Sequence, residues 1–320
     1  MASKPQVIAL EEHYFDPEVK RHIGAAERTG GSRIAAQLDD VGQGRIAEMD
    51  AAGINVQVLS HGAPSVQKIA DPELAVRLAR GANDRLAETV AAHPDRFAGF
   101  AMLPTADPEA AADELERTVT QLGFKGAMVH GLANGVFLDD RRFWPIFARA
   151  EALDVPLYLH PAPPHPAIVE AYYKEYVEKF PNILRAAWGF TVETATQGVR
   201  LVLSGLFEAH PRLKIILGHF GEGLPFMLWR INMGFARDGV APSWFRDAFC
   251  AHFWVTTSGF FSDPALLHCI QELGIDRILF SVDYPFVENA PGAEWVQRIP
   301  LSAEDRAKIL SGNAKRLLKM

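Results

Sequence analysis

The sequence predicts a (β/α)8 barrel of the α/β class, on three observations. Eight short apolar runs alternate with amphipathic segments along the 320 residues, as in a chain that builds parallel strands joined by helices. The runs are nearly continuous in apolar character, which is typical of strands buried on both faces. No GxGxxG motif follows an early run, so a doubly wound dinucleotide-binding sheet has no support. We therefore expect one barrel domain over residues 1–320.

The strands are expected at the apolar runs, and the segments between the runs are expected to be helices. Apolar residues recur every four positions over 72–92 and over 108–122, which indicates two amphipathic helices. In chain order, the expected strands are 7–13, 56–61, 96–103, 125–131, 156–161, 214–219, 253–259 and 278–285.

Short signals mark where several helices begin and end. An Asp-Pro pair predicts a helix start, because Asp accepts hydrogen bonds from free N–H groups and Pro fits the first turn. Such pairs stand at Asp71-Pro72, Asp107-Pro108 and Asp263-Pro264. Gly123 and Gly274 are expected to form left-handed caps at helix ends.

The connection after the fifth strand is unusually long, from Pro161 to about Glu193, and it is rich in proline and aromatic residues. A connection of this length is usually functional. Two interpretations stay open for this insertion. It is either a cap over a substrate or an extra helix that packs on the barrel or at a subunit contact.

Composition excludes several classes of protein. Apolar residues make up 48% of the chain and charged residues 22%, which is typical of a globular protein and not of a disordered one. The net charge of −7 argues against a nucleic-acid partner, because binding of the phosphate backbone needs a basic face. Cys250 and Cys269 are too few for a disulfide scaffold, and their separation fits no zinc finger. Any metal ion is therefore expected to be held by histidines and carboxylates.

The amino-terminal segment MASKPQVIALEEHYF has only four apolar residues in a row before two glutamates. It resembles neither a signal peptide nor a membrane anchor. No stretch approaches 18 apolar residues, so no membrane partner is expected. We predict a cytoplasmic location.

Histidines are concentrated where the predicted strands end. Active sites of α/β barrels are built at the carboxyl-terminal ends of the strands, so this distribution indicates a site. The five histidines are His13, His61, His130, His160 and His219, and Asp283 ends the eighth run in the same way.

Glu11 and His13 are expected to face the mouth of the barrel together, because residues two apart on a strand point the same way. Glu12 then points away. With His160 and Asp283, these two residues supply two oxygen and two nitrogen ligands, which suits Zn²⁺ or Mn²⁺. The alternative is a surface pair of glutamates with a capping histidine.

The sixth strand ends in His219-Phe220-Gly221-Glu222, and a helix is expected to begin there. Glu222 either caps this helix or orients the His219 ring, and an oriented histidine beside a metal-bound Asp can move protons. Arg230 follows in that helix and could hold a carboxylate by two parallel bonds, or be a solvated helix residue.

Seven segments together carry a specific resemblance that spans nearly the whole chain. They are ALEEH (9–13), RIAEMDAAGI (45–54), LSHGAPSVQ (59–67), LYLHP (157–161), the stretch 201–230, TTSG (256–259) and FSVDYPF (280–286). The combination resembles the amidohydrolase superfamily, in particular its metal-dependent aromatic decarboxylase branch of γ-resorcylate and 2,3-dihydroxybenzoate decarboxylases. Most of the superfamily opens with His-x-His, whereas the Glu-x-His of Glu11 and His13 marks the decarboxylase branch.

The resemblance implies roles for the residues that match the family. It implies that the metal ligands are Glu11, His13, His160 and Asp283. It implies His219 as a catalytic neighbour with Glu222 behind it, Arg230 near the substrate, and a homodimer or homotetramer. His130 and His61 differ from the residues that the family places there, and both are expected to border the substrate.

The expected activity is non-oxidative decarboxylation of an ortho-hydroxybenzoate, which releases CO₂ and a phenol. The partner is then a small aromatic carboxylate. The cofactor is one Zn²⁺ or Mn²⁺ per chain, with no organic cofactor. Asp283 would deliver a proton to the ring carbon that bears the carboxylate, with His219 and Glu222 beside it.

Two other functions stay open at this point. The same ligands could activate water in a hydrolase of an amide or a lactone, with Asp283 as the base, although the Glu-x-His opening argues against it. A binding protein without activity on the same barrel is disfavoured, because a suitable residue stands at every position where a metal ligand or a catalytic group is expected.

Overall fold

Eight parallel strands close into a barrel in the computed structural model, which describes residues 5–23 and 31–320. The third predicted run is interrupted at Phe100, so its two segments are labelled together as β3. The strands are β1 (Ile8–Tyr14), β2 (Val56–His61), β3 (Phe97–Gly99 and Ala101–Met102), β4 (Ala127–His130), β5 (Leu157–His160), β6 (Ile215–Leu217), β7 (Phe253–Thr256) and β8 (Ile278–Leu279).

Strands that follow one another in the chain pair in parallel, from β1 to β8. At the interruption of β3, the Phe100 N–H donates to the Leu59 carbonyl at 2.9 Å, which carries the pairing across. The barrel closes where the His13 N–H donates to the Tyr284 carbonyl at 2.7 Å, beside a parallel bridge between Glu12 and Tyr284. The predicted (β/α)8 barrel is therefore confirmed.

Helices cover the outside of the strands. Those of eight residues or more are α1 (Ser32–Asp39), α2 (Gln43–Ala52), α3 (Pro72–Ala92), α4 (Pro108–Gln121), α5 (Trp144–Leu153), α6 (Gly189–Leu203), α7 (Leu224–Ala236), α8 (Trp244–His252), α9 (Asp263–Leu273) and α10 (Asn289–Arg298). Shorter α-helices are Val19–His22, Pro166–Ile168, Lys174–Val177, Leu206–Ala209, Ala303–Ala307 and Asn313–Leu318. Single 3₁₀ turns are Val66–Lys68, Arg141–Phe143, Pro181–Leu184 and Ile275–Arg277, and π turns are Val169–Tyr173 and Lys308–Gly312.

All three predicted helix starts are confirmed, because helices begin at the pairs Asp71-Pro72, Asp107-Pro108 and Asp263-Pro264. The Asp71 carboxylate accepts from two backbone N–H groups of α3, and the Asp107 carboxylate accepts from one N–H of α4. At the third start only the expected capping role of the aspartate is wrong, because Ser262 precedes α9 and Asp263 is already its first helical residue. The Asp263 carboxylate instead accepts from the indole N–H of Trp295 at 2.7 Å, so a tertiary partner replaces the helix end.

The two predicted left-handed glycine caps, at Gly123 and Gly274, have different outcomes. Gly123 has a φ of 74° just after α4, as a left-handed cap requires. Gly274 caps the end of α9, where its N–H donates to the Ile270 carbonyl at 2.9 Å, but its φ of 84° and ψ of 154° lie outside the left-handed region, so the expected left-handed conformation is wrong. Both positions use a positive φ that glycine adopts without strain.

The polar site and the apolar core occupy different ends of the barrel. Side chains from the first half of each strand fill its interior, and Ala314 and Leu317 of the last helix pack against them. A larger apolar cluster lies between the strands and the surrounding helices. The histidines predicted at the strand ends therefore lie above an interior already closed by apolar packing.

The insertion after β5 is a series of short helical turns, and regular helix resumes at α6. Tyr172, Tyr176, Phe180 and Trp188 of this segment are exposed. Pro163, Pro164 and Pro166 of the same segment line a cavity, which favours the interpretation as a cap.

Within the described ranges, no helix combines the length and the apolar character needed to cross a bilayer. Residues 1–4 of the amino-terminal segment lie outside these ranges.

Arg45 of α2 is fully buried and holds the carboxyl-terminal end of β1 in place. Its guanidinium donates to the carbonyl oxygens of His13, Asp40 and Gln37, and it lies 4.8 Å from the centre of the Tyr284 ring. These contacts join the two strands at which the barrel closes.

We expect Arg45→Met to lower the free energy of unfolding by about 3 kcal/mol, because buried carbonyl groups would lose their donors. The measurement is urea unfolding followed by circular dichroism. Arg33→Met is the matched control. Arg33 pairs with Glu288 on the surface at 2.8 Å, and removal of such a pair costs about 0–1 kcal/mol. Equal effects of the two substitutions would contradict the role of Arg45.

A candidate metal centre at the carboxyl-terminal ends of the strands

Four predicted ligands meet at the mouth of the barrel. One ligand atom from each of Glu11, His13, His160 and Asp283 lies within 4.8 Å of the others. Glu11 and His13 come from β1, His160 ends β5, and Asp283 follows β8. The sequence prediction of this cluster is confirmed, and residues separated by more than 270 positions form one site.

A local irregularity in β1 directs its two ligands. Ala9 lies opposite Gln57 and Glu12 opposite Leu59, so β1 has one more residue than β2 over this stretch. Such a bulge re-aims the side chains that follow it. The Nε2 atom of His13 then lies 3.9 Å from Oε1 of Glu11, close enough for both atoms to bind one ion.

The donor set fits a divalent cation. In the described part of the chain, Oε1 of Glu11, Nε2 of His13 and Oδ1 of Asp283 are buried and have no hydrogen-bond partner. Buried polar atoms without partners are costly, and they converge here on one point. Imidazole nitrogens and carboxylate oxygens are the ligands that Zn²⁺ and Mn²⁺ accept.

The electrostatics of the cluster also favour a cation. Burial alone would lower the pKa of His13, but the neighbouring carboxylates of Asp283 and Glu11 raise it to about 9. Burial alone would raise the pKa of Glu11, but His219, His13 and His160 hold it well below its ordinary value. The carboxylates therefore create a negative potential, which attracts a proton or a metal ion to the same place.

Neighbouring groups fix the orientation of the ligands. Nδ1 of His160 lies 2.8 Å from the Pro161 carbonyl, which can only accept, so Nδ1 carries the proton and Nε2 presents its lone pair. Nε2 points to Oε1 of Glu11 at 3.2 Å. Nδ1 of His13 lies 3.2 Å from the Ser60 hydroxyl, which can accept its proton.

Tyr158, which has no predicted role, supports the carboxylate of the ligand Glu11. The Tyr158 hydroxyl donates to Oε2 of Glu11 and lies 2.9 Å from the Thr256 hydroxyl. Oε1 of Glu11 is thereby left for the metal. Tyr158 lies within the run 156–161, where a tyrosine among aliphatic residues is the only signal of this role.

Glu12 points away from the mouth, as predicted, but it is fully buried and positions the segment that carries Asp283. Its carboxylate accepts from the backbone N–H groups of Val282 at 2.9 Å and Tyr284 at 3.2 Å, on either side of Asp283. Burial raises the pKa of Glu12 to about 8, although these hydrogen bonds oppose the rise. The only signal of this role in the sequence is a carboxylate inside an apolar run.

His219 and Glu222 form the predicted pair. Nδ1 of His219 lies 2.8 Å from Oε1 of Glu222, and Nε2 lies 3.9 Å from Oδ2 of Asp283. Burial alone would lower the pKa of His219, but Glu222, Glu11 and Asp283 hold it well above its ordinary value. A protonated His219 therefore lies within ion-pair distance of Asp283.

The backbone of this segment explains its geometry. His219, Phe220, Gly221 and Glu222 all have a positive φ, between 49° and 74°. Such a conformation is unfavourable for residues other than glycine and often accompanies functional sites. The segment is therefore a tight turn between β6 and α7, and the helix predicted to begin at His219 starts instead at Leu224.

His130 and His61 lie behind His160 and are joined to it by hydrogen bonds. Nε2 of His130 donates to the His61 carbonyl at 3.0 Å, so its Nδ1 presents a lone pair to Nδ1 of His160, 3.0 Å away. Nδ1 of His61 donates to the Gly62 carbonyl at 2.7 Å, and its Nε2 has no partner in the described ranges.

Both of these histidines are neutral in the neutral pH range. Burial and the neighbouring His160 hold the pKa of His130 well below its ordinary value. Burial lowers the pKa of His61 to about 4. Of the two, only His61 has a ring nitrogen available to accept a hydrogen bond.

Arg230 is exposed on α7. Its guanidinium makes no hydrogen bond or ion pair with any residue of the described ranges. The structure therefore shows no bond between Arg230 and the four predicted ligands of its own protomer.

The chain is similar in sequence and in fold to known aromatic acid decarboxylases. The chain is 42% identical to a γ-resorcylate decarboxylase of Rhizobium radiobacter, over 98% of each chain. Its fold superposes with a TM-score of 0.91 on the crystal structure of a 2,6-dihydroxybenzoate decarboxylase in complex with 2,6-dihydroxybenzoate, at 41% identity and over 99% of this chain and 100% of that one. A dihydroxybenzoic acid decarboxylase of Polaromonas sp. JS666, with bound manganese and the inhibitor 2-nitroresorcinol, superposes with a TM-score of 0.89, at 41% identity and over 99% and 97% of the two chains.

The family model described as amidohydrolase matches residues 20–320. This match covers most of the barrel, including four of the five strand ends with histidines and the turn that carries Asp283. The chain belongs to the amidohydrolase family.

Proposed function

We propose that the protein removes CO₂ from an ortho-hydroxybenzoate without oxidation and releases the phenol. The protein is a metal-dependent aromatic acid decarboxylase that binds small aromatic carboxylates. One observation carries the proposal: buried ligand atoms of Glu11, His13 and Asp283, which have no hydrogen-bond partner among the described residues, converge on one point. The chain that holds them is 42% identical to a γ-resorcylate decarboxylase.

The protein has a divalent metal site formed by Glu11, His13, His160 and Asp283. We propose one Mn²⁺ or Zn²⁺ per chain, and the manganese in the Polaromonas structure supports the first of these. When bound, the cation would supply positive charge that holds the carboxylate and ortho oxygen of the substrate and draws electron density from the ring. No organic cofactor is part of the proposal.

Asp283 is the proposed proton donor. Its Oδ1 lies 3.3 Å from Nε2 of the ligand His13 and its Oδ2 lies 3.9 Å from Nε2 of His219, so the carboxyl group lies between the other ligands and a proton source. Transfer of its proton to the ring carbon that bears the carboxylate removes the aromaticity of the ring. The electron pair of the bond to the carboxylate then returns to the ring, and CO₂ leaves.

His219 is the proposed source of the next proton for Asp283. After the transfer, Asp283 is a carboxylate, and the imidazolium of His219 can return a proton to Oδ2. Glu222 holds the ring by its bond to Nδ1 and stabilises the positive charge. His130 and His61 complete the proposed substrate-binding set with Arg230, and His61 supplies the free acceptor of this group.

A panel of salicylates separates this function from hydrolysis of an amide or a lactone. The metal-loaded protein is expected to release one CO₂ for each phenol formed from 2,6-dihydroxybenzoate or a substituted salicylate, and to leave simple amides and lactones intact. Chromatography of the phenol and detection of CO₂ measure both products. Hydrolysis of an amide or lactone without release of CO₂ from any salicylate would replace the proposed function with that of a hydrolase.

We also propose that the protein is a homodimer or homotetramer in which α7 lies at a subunit interface. Phe226 and Trp229 of this helix are 76% and 69% exposed, and Met227 and Met233 are exposed beside them. An apolar surface of this kind on a helix is typical of a protein interface. Arg230 lies on the same helix, so an interface would place it where it can reach the substrate of a neighbouring protomer.

Arg230→Met is expected to raise KM about 10- to 150-fold, because a charged hydrogen bond to the substrate would be lost. Steady-state kinetics at protein concentrations on both sides of the dissociation constant of the oligomer test this effect. Arg237→Met removes an exposed charge just after the same helix and is the matched control. A KM of Arg230→Met within twofold of the wild-type value would remove Arg230 from the substrate site.

The assignment of residues 1–320 to one domain and the cytoplasmic location both stay predictions.

A further inference from the structure

A cavity of about 550 Å³ lies beside the metal centre, and the mechanism above does not use it. Its walls come from the segments after β2, β4 and β5, and many of them are apolar, such as Pro64, Leu132 and Phe190. His130 connects the two places, because it lines the cavity and its Nδ1 lies 3.0 Å from Nδ1 of the ligand His160. Sites for small molecules usually enclose about 300–1,000 Å³. The volume suits part of a ligand whose reacting end lies at the metal.

Gln67 gives the inner wall of this cavity a fixed hydrogen-bond donor. Gln67 is only 3% exposed, and its side chain accepts from the His130 backbone N–H at 2.6 Å. The accepting atom must be the oxygen, so the other end of the amide is the NH₂ group. That nitrogen is buried and has no partner within residues 5–23 and 31–320. An acceptor atom of a ligand would satisfy it.

Arg185 gives another part of the wall a positive charge. It is half-buried in the insertion, and its guanidinium makes no hydrogen bond or ion pair with the described residues. The carboxylate of Glu170, which also lines the cavity, is paired with Lys174. Arg185 is therefore not neutralised by that neighbour, and guanidinium groups bind carboxylates through two parallel hydrogen bonds.

We propose that this cavity is a second compartment of the substrate site, and that it takes an arm carried by the aromatic ring. The arm has an acceptor oxygen near the ring, which Gln67 binds, an apolar body, and a terminal carboxylate, which Arg185 binds. The substrate is then a hydroxybenzoate with a second acidic group on a side arm. Gln67 and Arg185 are specificity-determining residues, whereas the four ligands and His219 act on the carboxylate that leaves. This inference rests on the proposed decarboxylase function.

The experiment compares 2,6-dihydroxybenzoate with three derivatives at each free ring position. The derivatives carry a five-atom alkyl arm, the same arm with an ether oxygen next to the ring, or the same arm with a terminal carboxylate. With the metal-loaded wild-type protein, at least one ring position is expected to give a kcat/KM that is tenfold or more higher for the carboxylate arm than for the alkyl arm.

Ratios measured within one variant separate binding of the arm from general damage to the enzyme. In Arg185→Met, the carboxylate-to-alkyl ratio is expected to fall about 10- to 150-fold, since a charge-assisted bond is lost. Gln67→Glu keeps the acceptor for the His130 N–H but replaces the donor, so the ether-to-alkyl ratio is expected to fall. Lys179→Met removes a positive charge from the insertion outside the cavity lining, and both ratios should stay unchanged.

The possible failures are distinguishable. If 2,6-dihydroxybenzoate is decarboxylated but the carboxylate arm reaches a tenfold higher kcat/KM than the alkyl arm at no ring position, or if Arg185→Met leaves the carboxylate-to-alkyl ratio intact, the compartment does not bind an acidic arm and the inference is wrong. If the metal-loaded protein releases CO₂ from no hydroxybenzoate, the proposed function itself fails, and the inference fails with it.

Discussion

Asp283→Asn is expected to lower kcat by about 10³- to 10⁴-fold, which is the upper part of the range for a general acid or base. The substitution keeps the size of the side chain and one oxygen for the metal, but it removes the acidic proton. Within the described cluster, Asp283 is the acid that both supplies a ligand atom and faces a proton source, because its Oδ2 lies 3.9 Å from Nε2 of His219. The rate of CO₂ release at saturating substrate is the measurement.

Because Asp283 is also a metal ligand, the metal content of the variant must be measured together with its rate. Binding of a non-reacting analogue, such as 2-nitroresorcinol, shows that the site still forms. Asp238→Asn changes an exposed carboxylate after α7 and is the matched control, with an expected rate close to wild type. An Asp283→Asn protein that holds its metal and retains more than a tenth of the wild-type rate would refute the proton-donor role.

The barrel and its metal ligands were predictable because they depend on patterns that are local in the sequence. A strand buried on both faces is a continuous apolar run, and parallel strands place all their carboxyl-terminal ends on one side. A histidine or carboxylate at the end of a run must therefore lie at the mouth of the barrel. This reasoning brought Glu11, His13, His160 and Asp283 together, although nothing in the spacing gave their distances.

The supporting residues were not predictable in the same way, because their roles depend on contacts between distant segments. The alternation of side chains along the strand correctly predicts that Glu12 points away from the mouth of the barrel. Only the closed barrel shows that its carboxylate accepts from the backbone N–H groups on both sides of Asp283. Asp263 has the sequence of a helix cap and instead binds the Trp295 indole. Gln67 follows a loop, and only the fold places its amide against His130.

Removal of the metal is expected to abolish decarboxylation while the protein stays folded. The apolar interior of the barrel is closed below the ligands, so stability does not depend on the ion, as it does in small zinc domains. Dialysis against a chelator should leave the circular dichroism spectrum unchanged, and Mn²⁺ or Zn²⁺ should restore the activity. His160→Ala should lower the metal content for the same reason. Full activity in a preparation without metal would contradict the assignment of the centre.

The affinity for the metal is expected to rise with pH up to about 9. Without an ion, the carboxylates of Asp283 and Glu11 raise the pKa of His13 to about 9, so below that pH a proton occupies the imidazole. A metal ion must displace this proton, because only the neutral ring is a ligand. Release of one proton changes the dissociation constant about tenfold per pH unit below that pKa, and the constant should level off above it. Titration of the metal-free protein with Mn²⁺ at pH 6, 7 and 8 measures the slope. A dissociation constant independent of pH over this range would show that His13 loses no proton when the metal binds, and that the negative potential of Glu11 and Asp283 is not what prepares the site for the cation.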